Sequence, residues 1–322
     1  MIRTTARVLA ILGAILALVL VACQTEGETR APAEIPREAR LVIGTIGVDA
    51  DEKAEKEEEF REFVDYVGSK LGAYGVRKGE FAIAESPVKM ATLMRQGKVD
   101  IFIDSVFPAF VVNKLAGSEP FLSRWKGGVE KYHAVIFTKS GNGITSLDDL
   151  KGKMIAFAHP ASTSRYFLPK SHLLERSYTL TEKSNPTGQV GPDEIGYYFS
   201  DYRKVNTLED VLSGVAAAGG TKETDLDESL EELGETRGTV RVISNTIDVF
   251  RHLVVVRRNL DPELKVALQE VLVGMDKTPE GQAVLKRFKE TKKFALFEPD
   301  VDQAFQAIRQ HVELVEKEIV QR

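Results

Sequence analysis

The chain has 322 residues and a formal net charge of −5 at pH 7. This charge argues against nucleic acid or an anionic lipid surface as the main partner. Its one cysteine, Cys23, excludes an intramolecular disulfide, a cysteine-based metal site and thiol catalysis in the folded body.

The N-terminus predicts a lipoprotein signal peptide over residues 1–22. Two arginines precede an apolar run, Val8–Ala22, that is too short to cross a membrane. The run ends in Leu-Val-Ala-Cys23, which has the form of a lipobox; an ordinary signal peptide followed by a chance cysteine is the alternative. Lipid on Cys23 anchors a protein to a membrane without a spanning helix. Removing residues 1–22 leaves 41 basic and 48 acidic residues, a net charge of −7.

Residues 23–40 are rich in Thr, Glu, Ala and Pro and predict a flexible tether. The remaining body of about 280 residues is long for one compact core, so two lobes are expected.

Strand and helix patterns then alternate, which predicts parallel sheets with crossover helices. Leu41–Ile46 is an apolar strand. The buried face of the next helix is predicted to carry Phe60, Phe63, Val64, Val67 and Leu71. We interpret the acidic run Glu55–Glu59 as a solvated first turn of that helix. Ser86-Pro87 begins a second helix, Asp100–Ile103 is a strand, and Ser105 begins a third helix.

The lobe boundaries follow from where the pattern crosses over. The β-rich run Tyr132–Thr138 predicts the first crossing, and Val240–Ile243 and Leu253–Val256 bracket the return. Lobe 1 is therefore expected to comprise 41–135 plus 246–322, and lobe 2 to comprise 136–245.

Three further segments complete the prediction. Glu175–Lys204 is polar and is expected to be a surface excursion. Asp225–Leu233 is an acidic helix with a solvated face, and Val301–Val320 is an amphipathic helix on the outside.

The most informative stretch is Ile144–Pro169. The strand Met154–Phe157 and the turn His159-Pro160 lead to three consecutive hydroxyl residues, Ser162, Thr163 and Ser164, which open a helix. A helix start leaves about four N–H groups unpaired and carries roughly half a positive charge. With the hydroxyls added, this is a pocket suited to a tetrahedral oxyanion. The alternative is that a hydroxyl serves only as an N-cap.

The sequence DLKGK, followed by this strand, the proline turn and Ser-Thr-Ser, resembles the phosphate/phosphite/phosphonate-binding family of periplasmic binding proteins, the receptors of ABC importers. The resemblance extends from about Leu41 to about Phe294. Four more motifs carry it: GKVDI (97–101), EKYHAVIF (130–137), RRNLDPELK (257–265) and KTPEGQAVLKRF (277–288). It implies the type II α/β architecture of two lobes, each a mostly parallel sheet with flanking helices, and a ligand in the cleft between them.

Ser105 and the Ser162–Ser164 triplet both follow strand ends, so they are expected to face each other across the cleft. The resemblance adds Tyr132 as an aromatic hydroxyl that reaches the ligand. It also places Glu223 near an acidic position that some members use to grip an amino group.

The sequence departs from the family pattern at several positions. Arg165 stands where the family usually has Gly, and Ala216 stands where it commonly has Asp. Arg203 and His252 lie near His and Asp positions of phosphonate binders. This loss of acid and gain of base counts against an aminophosphonate and favours a more highly charged or differently substituted anion. The alternatives are solvated arginines and a histidine that is hydrogen-bonded locally.

We therefore expect a monomeric, lipid-anchored receptor on the periplasmic side of a bacterial membrane or the outer face of the cell membrane. It is expected to bind phosphate, phosphite or a phosphonate and to deliver it to the permease and ATPase of an ABC importer. The alternative is a sensor subunit that reports to a membrane histidine kinase. An enzyme is not expected, because G-x-S-x-G, H-E-x-x-H, P-loop and dinucleotide motifs are absent from the sequence. No cofactor is expected, and no metal, because the histidines lack metal-ligand spacing.

Overall fold

The structure is a computed structural model that describes residues 39–200, 206–297 and 301–319. The predicted signal peptide, Cys23, the tether up to residue 38, and Arg203 lie outside the described residues. Among the residues described, no helix has both the length and the apolar character needed to cross a membrane.

The described strands are, in chain order, β1 (Arg40–Ile46), β2 (Lys78–Ala84), β3 (Ile101–Asp104), β4 (Glu119–Arg124), β5 (Lys131–Tyr132), β6 (Ala134–Lys139), β7 (Met154–Phe157), β8 (Thr179–Glu182), β9 (Glu194–Phe199), β10 (Ala218–Lys222), β11 (Val240–Asn245), β12 (Val249–Phe250), β13 (His252–Val256) and β14 (Phe294–Ala295). The described α-helices are α1 (Ala50–Lys70), α2 (Pro87–Arg95), α3 (Val106–Ala116), α4 (Leu168–Glu175), α5 (Asn206–Ser213), α6 (Leu226–Glu232), α7 (Pro262–Gly274), α8 (Pro279–Arg287) and α9 (Val301–Ile319).

Two six-stranded sheets organise the described residues, and each is the centre of one lobe. The sheet of lobe 1 has the order β14-β4-β13-β3-β1-β2, and the sheet of lobe 2 has the order β11-β6-β10-β7-β9-β8. In lobe 1, β13 runs antiparallel to both β3 and β4, whereas β1 pairs in parallel with β2 and β3. In lobe 2, β10, β7, β9 and β8 run parallel, and β6 runs antiparallel to β10 and β11. The predicted α/β architecture of two lobes with mostly parallel strands is confirmed.

The two crossings between the lobes lie side by side. β5 on the outgoing segment pairs antiparallel with β12 on the returning segment, with Tyr132 opposite Val249. The chain enters lobe 2 directly after β5 and leaves it directly before β12, so this short ladder connects the lobes.

The periodicity of the first helix predicted its packing. Phe60, Phe63, Val64, Val67 and Leu71 are all buried in lobe 1. The Phe63 and Phe288 rings stack at 4.1 Å, which joins α1 to the segment after α8. At the start of α2, the Ser86 hydroxyl accepts a hydrogen bond from the Lys89 N–H, which is the predicted N-cap.

The C-terminal helix α9 packs against both lobes. Its buried side chains are Phe305, Ile308, Val312 and Val315. It contacts α4 of lobe 2 and α3 of lobe 1, and the Phe110 and Phe305 rings lie 5.7 Å apart. The predicted amphipathic helix is confirmed, and its apolar face spans the two lobes.

The interpretation of Glu175–Lys204 as a surface excursion is wrong. This stretch supplies β8 and β9, and β9 pairs with β7 in the sheet of lobe 2. Ile195, Tyr197 and Tyr198 are buried there. The polar loop between β8 and β9 lowered the mean hydropathy and obscured the short apolar run.

Candidate ligand-binding cleft

A cleft of about 290 Å³ lies between the lobes, and its lining is strongly polar. The hydroxyl groups that line it belong to Ser105, Tyr132, Ser162, Thr163, Ser164 and Thr221. The basic side chains are Lys56, Lys126, His159, Arg165, Lys222, Arg251 and His252. The acidic side chains are Glu52, Glu55, Asp104 and Asp225.

Strand pairing explains the wall of lobe 1. β13 lies between β3 and β4, with His252 opposite Arg124 and Leu253 opposite Asp104. Because β13 is antiparallel to both neighbours, its first residues meet the last residues of β3 and β4. One edge of the sheet therefore carries Ser105 after β3, Lys126 after β4 and Arg251 before β13.

The wall of lobe 2 comes from the carboxyl ends of two parallel strands. β10 pairs with β7, with Ala218 opposite Ile155. β7 leads into the hydroxyl triplet, and β10 leads into Lys222 and Asp225. The helix opened by the triplet begins with a π-helical turn, Thr163–Phe167, a local geometry often found at functional sites. Ligands of such sheets bind at these strand ends.

The Ser162 hydroxyl caps this turn. Its oxygen accepts a hydrogen bond from the Arg165 N–H at 3.1 Å. A hydroxyl that accepts one bond still has a proton to donate, so the capping role leaves Ser162 able to bind an anion in the cleft.

Thr163 joins the two lobes. Its hydroxyl donates to the Ser105 hydroxyl at 2.8 Å and accepts from the Phe107 N–H at 3.2 Å. Beside it, the Phe107 and Phe167 rings stack at 4.1 Å with an angle of 5° between their planes. These contacts bring the start of α3 and the hydroxyl turn together and close this end of the cleft.

Tyr132, at the end of β5 in the connecting ladder, lies beside the same turn. Its hydroxyl is within hydrogen-bonding reach of Thr163 and Ser164, and burial raises its pKa. The Arg251 guanidinium lies 4.9 Å from the centre of the Tyr132 ring, within the range of a cation–π contact.

A buried carboxylate holds three cations on the lobe 1 side. Glu59 lies 2.9 Å from Arg124, 3.4 Å from Lys126 and 3.7 Å from Lys56. Burial acts to raise the pKa of Glu59, but Lys126, Lys56 and Arg124 outweigh it and hold the pKa well below the usual 4.5. The interpretation of Glu55–Glu59 as solvated is therefore wrong at Glu59, whose side chain is 1% exposed. Glu59 precedes Phe63 by one helical turn and shares its buried face.

The two histidines of the cleft are neutral near pH 7. Burial, followed by the charge on Arg165, lowers the pKa of His159 to about 3. Burial and then Lys126 lower the pKa of His252 well below 6.5. His252 is 4% exposed, and its Nδ1 has no hydrogen-bond partner among the described residues.

Arg165 lies in the cleft and is half-buried. Burial lowers its pKa, and the carboxylates of Glu52 and Asp225 oppose that change. Asp225 also pairs with Lys222 at 2.5 Å. Burial raises the pKa of Glu52, whose carboxylate accepts a hydrogen bond from the Val48 N–H.

The structure brings most of the predicted site residues into one cleft. Those that line it are Ser105, Tyr132, Ser162, Thr163, Ser164, Arg165 and His252. Glu223 is exposed on the turn after β10 and is not part of the lining, because the chain turns there and presents Asp225 instead. Ala216 is 2% exposed in the core of lobe 2 and does not line the cleft.

Sequence reasoning missed the cations Lys56, Lys126, Arg251 and Lys222. Three of them belong to lobe 1 elements that are far apart in the chain: Lys56 is on α1, Lys126 follows β4 and Arg251 precedes β13. The pairing of β13 with β4 brings Lys126 and Arg251 to one edge of the sheet, and Glu59 on α1 places Lys56 near Lys126. Among the described residues, no group of three or more His, Cys, Asp or Glu side chains is arranged to hold a metal ion.

Two lobes joined by paired crossing strands, with a polar cleft between strand ends, define the class of periplasmic binding proteins. Residues 46–301 match the family described as "ABC transporter, phosphonate, periplasmic substrate-binding protein". The chain belongs to this family and is a solute-binding receptor whose family functions outside the cytoplasm.

Similar solved structures share this fold. XAC2383 from Xanthomonas citri, solved bound to ATP, has a TM-score of 0.80 and 25% identity over 87% of this chain and 99% of its own. PhnD1 from Prochlorococcus marinus, solved with methylphosphonate, has a TM-score of 0.63 and 16% identity over 87% of this chain and 99% of its own. A binding protein of an ABC phosphonate transporter from Pseudomonas aeruginosa has a TM-score of 0.61 and 19% identity over 88% of this chain and 89% of its own.

Proposed function

We propose that this protein is a lipid-anchored receptor that binds a phosphate-like oxyanion in its cleft and delivers it to an ABC importer. The candidate ligands are phosphate, phosphite and phosphonates. One observation carries the proposal: the hydroxyl turn Ser162–Ser164 and the basic residues of lobe 1 line the same cleft.

The chemistry of this cleft suits an anion with several oxygens. The start of the π-helical turn provides backbone N–H groups, and Ser162 and Ser164 provide hydroxyl donors. Lys126 and Arg251 on the opposite wall provide positive charge. Because the lobes exclude water when they close, each charge-assisted hydrogen bond is stronger than in bulk solvent.

The similarity to XAC2383 gives independent support. Its structures were solved bound to ATP and to chloride, and it shares 25–26% identity over 87% of this chain. Both of those ligands are anions. This similarity supports an anionic ligand for the present chain.

Closure is proposed to report occupancy to the transporter. The Thr163–Ser105 hydrogen bond and the Phe107–Phe167 stack connect opposite lobes. An anion that contacts both walls adds to these interactions only when the lobes are together, so binding shifts the protein towards the closed state.

The membrane anchor is proposed from the lipobox. Lipid on Cys23 would hold the receptor beside its permease. Replacement Cys23→Ala is expected to move the protein from the membrane fraction to the soluble fraction without altering its anion affinity. A mature N-terminus at a residue other than Cys23 would contradict this part of the proposal.

Isothermal calorimetry on the mature chain tests the ligand class. Phosphate, phosphite, methylphosphonate, sulfate and a neutral sugar form the panel. We expect saturable, one-to-one binding of at least one phosphorus oxyanion and no heat with the sugar. Absence of binding by every phosphorus oxyanion would overturn the proposal.

A further inference from the structure

The positive charge on the lobe 1 side of the cleft exceeds what the protein itself neutralises there. Glu59 is the shared partner of Arg124, Lys126 and Lys56, so one carboxylate faces three cations. The side chains of Lys56 and Lys126 are only 13% and 15% exposed, and both line the cleft. Cations that are largely removed from water and incompletely paired are costly, which favours an anion beside them.

The carboxylates nearest to this group are engaged elsewhere. Glu55 forms an ion pair with Lys289 at 2.5 Å. Asp104 accepts hydrogen bonds from the Ser105 and Ile46 N–H groups and from the Thr45 hydroxyl. Lys289 lowers the pKa of Glu55 more than Lys56 and Lys126 do, so the Glu55 charge is shared, and neither carboxylate is a counter-ion for Lys126 alone.

A second observation points to a ligand at the same wall. His252 follows Arg251 at the start of β13, is 4% exposed and lines the cleft. Its Nδ1 has no hydrogen-bond partner among the described residues. Buried polar atoms in proteins nearly always have such a partner. With its proton on Nδ1, a neutral imidazole donates one hydrogen bond to an anion oxygen.

This basic wall, made by Lys56, Lys126, Arg251 and His252, belongs to lobe 1. The hydroxyl turn Ser162–Ser164 belongs to lobe 2, and the cleft separates the two. Each has enough donors for one phosphate-like group: hydroxyls and N–H groups on one wall, ammonium, guanidinium and imidazole groups on the other.

We propose that the cleft binds a ligand with two linked phosphate-like groups, one on the hydroxyl turn and one on the basic wall. The chemical class is a diphosphate, an organic diphosphate ester or a bisphosphonate. The inference rests on the proposed function, since it uses the same cleft and names the ligand class more narrowly.

Calorimetry on the mature protein, in magnesium-free buffer at fixed ionic strength, tests this with phosphate, inorganic diphosphate and methylenebisphosphonate. Diphosphate is expected to bind at least about tenfold more tightly than phosphate, since one added charge-assisted contact is worth a factor of about ten or more. Lys126→Gln and Lys56→Gln are each expected to weaken diphosphate binding about tenfold and phosphate binding less than about threefold. The matched control is Lys265→Gln, which breaks an ion pair with Glu119 outside the cleft lining and should change neither affinity.

Thermal melting of each variant accompanies the titrations. Lys56 is the most distant of the three partners of Glu59, so Lys56→Gln keeps the test valid if Lys126→Gln does not fold. Equal affinity for phosphate and diphosphate would overturn the inference and leave the proposed function standing. Lysine variants that weaken both anions equally would also overturn it. If none of the three anions binds, the inference fails, and the proposed function fails with it only if phosphite and methylphosphonate also give no binding.

Discussion

The Thr163 hydroxyl in lobe 2 donates to the Ser105 hydroxyl in lobe 1 at 2.8 Å, and Ser105 in turn donates to the Asp104 carboxylate at 3.1 Å. Thr163, which directly follows the cap residue Ser162 in the predicted oxyanion turn, is therefore bonded to the opposite lobe. The bond makes Thr163 a contact between the lobes, and the hydroxyls of the triplet proposed to bind the ligand are those of Ser162 and Ser164.

The closure bond predicts energetic coupling between two replacements. Thr163→Val and Ser105→Ala each remove a hydroxyl from the same interaction, and Ser105 makes no capping bond that its loss would disturb. In a double-mutant cycle of phosphate affinity, we expect a coupling free energy of about 0.5–1.5 kcal/mol. Calorimetry on the two single variants and the double variant measures it. Strict additivity would show that the bond plays no part in ligand-driven closure.

Ser162 is predicted to have separable capping and binding roles. Ser162→Ala should lower the free energy of unfolding by about 1 kcal/mol, because the Arg165 N–H loses its acceptor, and should also weaken anion binding. Ser162→Asp retains a capping oxygen but places negative charge in the cleft. We therefore expect it to melt near the wild-type temperature and to lose anion binding. If Ser162→Asp bound the anion as tightly as wild type, Ser162 would be a cap alone.

Glu59 is predicted to be essential for folding stability. Glu59→Gln leaves the buried Arg124 without its carboxylate, and breaking a buried pair costs about 3–5 kcal/mol. Because the pKa of Glu59 is lower in the folded state, its contribution is complete above about pH 4.5 and is lost as the pH falls below that value. Thermal melting from pH 3.5 to 7 should therefore show a steeper acid loss in wild type than in Glu59→Gln. Parallel profiles would contradict the ion cluster.

Phosphate affinity is predicted to rise between about pH 5.5 and 7.5. Phosphate loses its second proton near neutral pH, above the value of about 6 for a phosphate ester, and the cleft offers Arg165 to the dianion. His159, with a pKa of about 3, stays neutral across this interval, so it does not lose charge and weaken binding. Glu52, whose pKa burial raises, opposes the rise because its ionisation adds negative charge to the cleft.

Sulfate is the control for this pH series, since its charge does not change over the interval. Any pH dependence of sulfate affinity reports titration of the protein, and the difference between the two anions reports phosphate ionisation. Arg165→Gly should reduce the rise for phosphate. A rise that is unaffected by this replacement would mean that Arg165 does not contact the ligand.

The features that could be predicted from the sequence were those formed by residues close together in the chain. The apolar spacing from Phe60 to Leu71 fixed a buried helix face, and the run Met154–Phe157 followed by three hydroxyls located one wall of the cleft. The opposite wall was not predictable in this way. Lys56 and Lys126 are 70 positions apart, and they are neighbours because Glu59 on α1 packs against the end of β4 and pairs with both.

The predictions made from runs of charged residues were wrong where a charged side chain is buried in the structure. Glu59 ends a run of acids that resembles a solvated turn, yet it lies four residues before Phe63 and eight before Val67, on the buried face. That spacing was the available signal. Glu223 and Asp225 are both acids after β10, and only the geometry of the turn decides which of them lines the cleft.

A crystal structure of the mature chain grown with phosphate tests most directly whether the cleft is the anion site. We expect the anion between the lobes, with oxygens bonded to the Ser162–Ser164 turn and at least one contact from Arg251 on the opposite wall. Phosphate found only outside the cleft, at concentrations that saturate the calorimetric titration, would contradict an oxyanion receptor built on this turn.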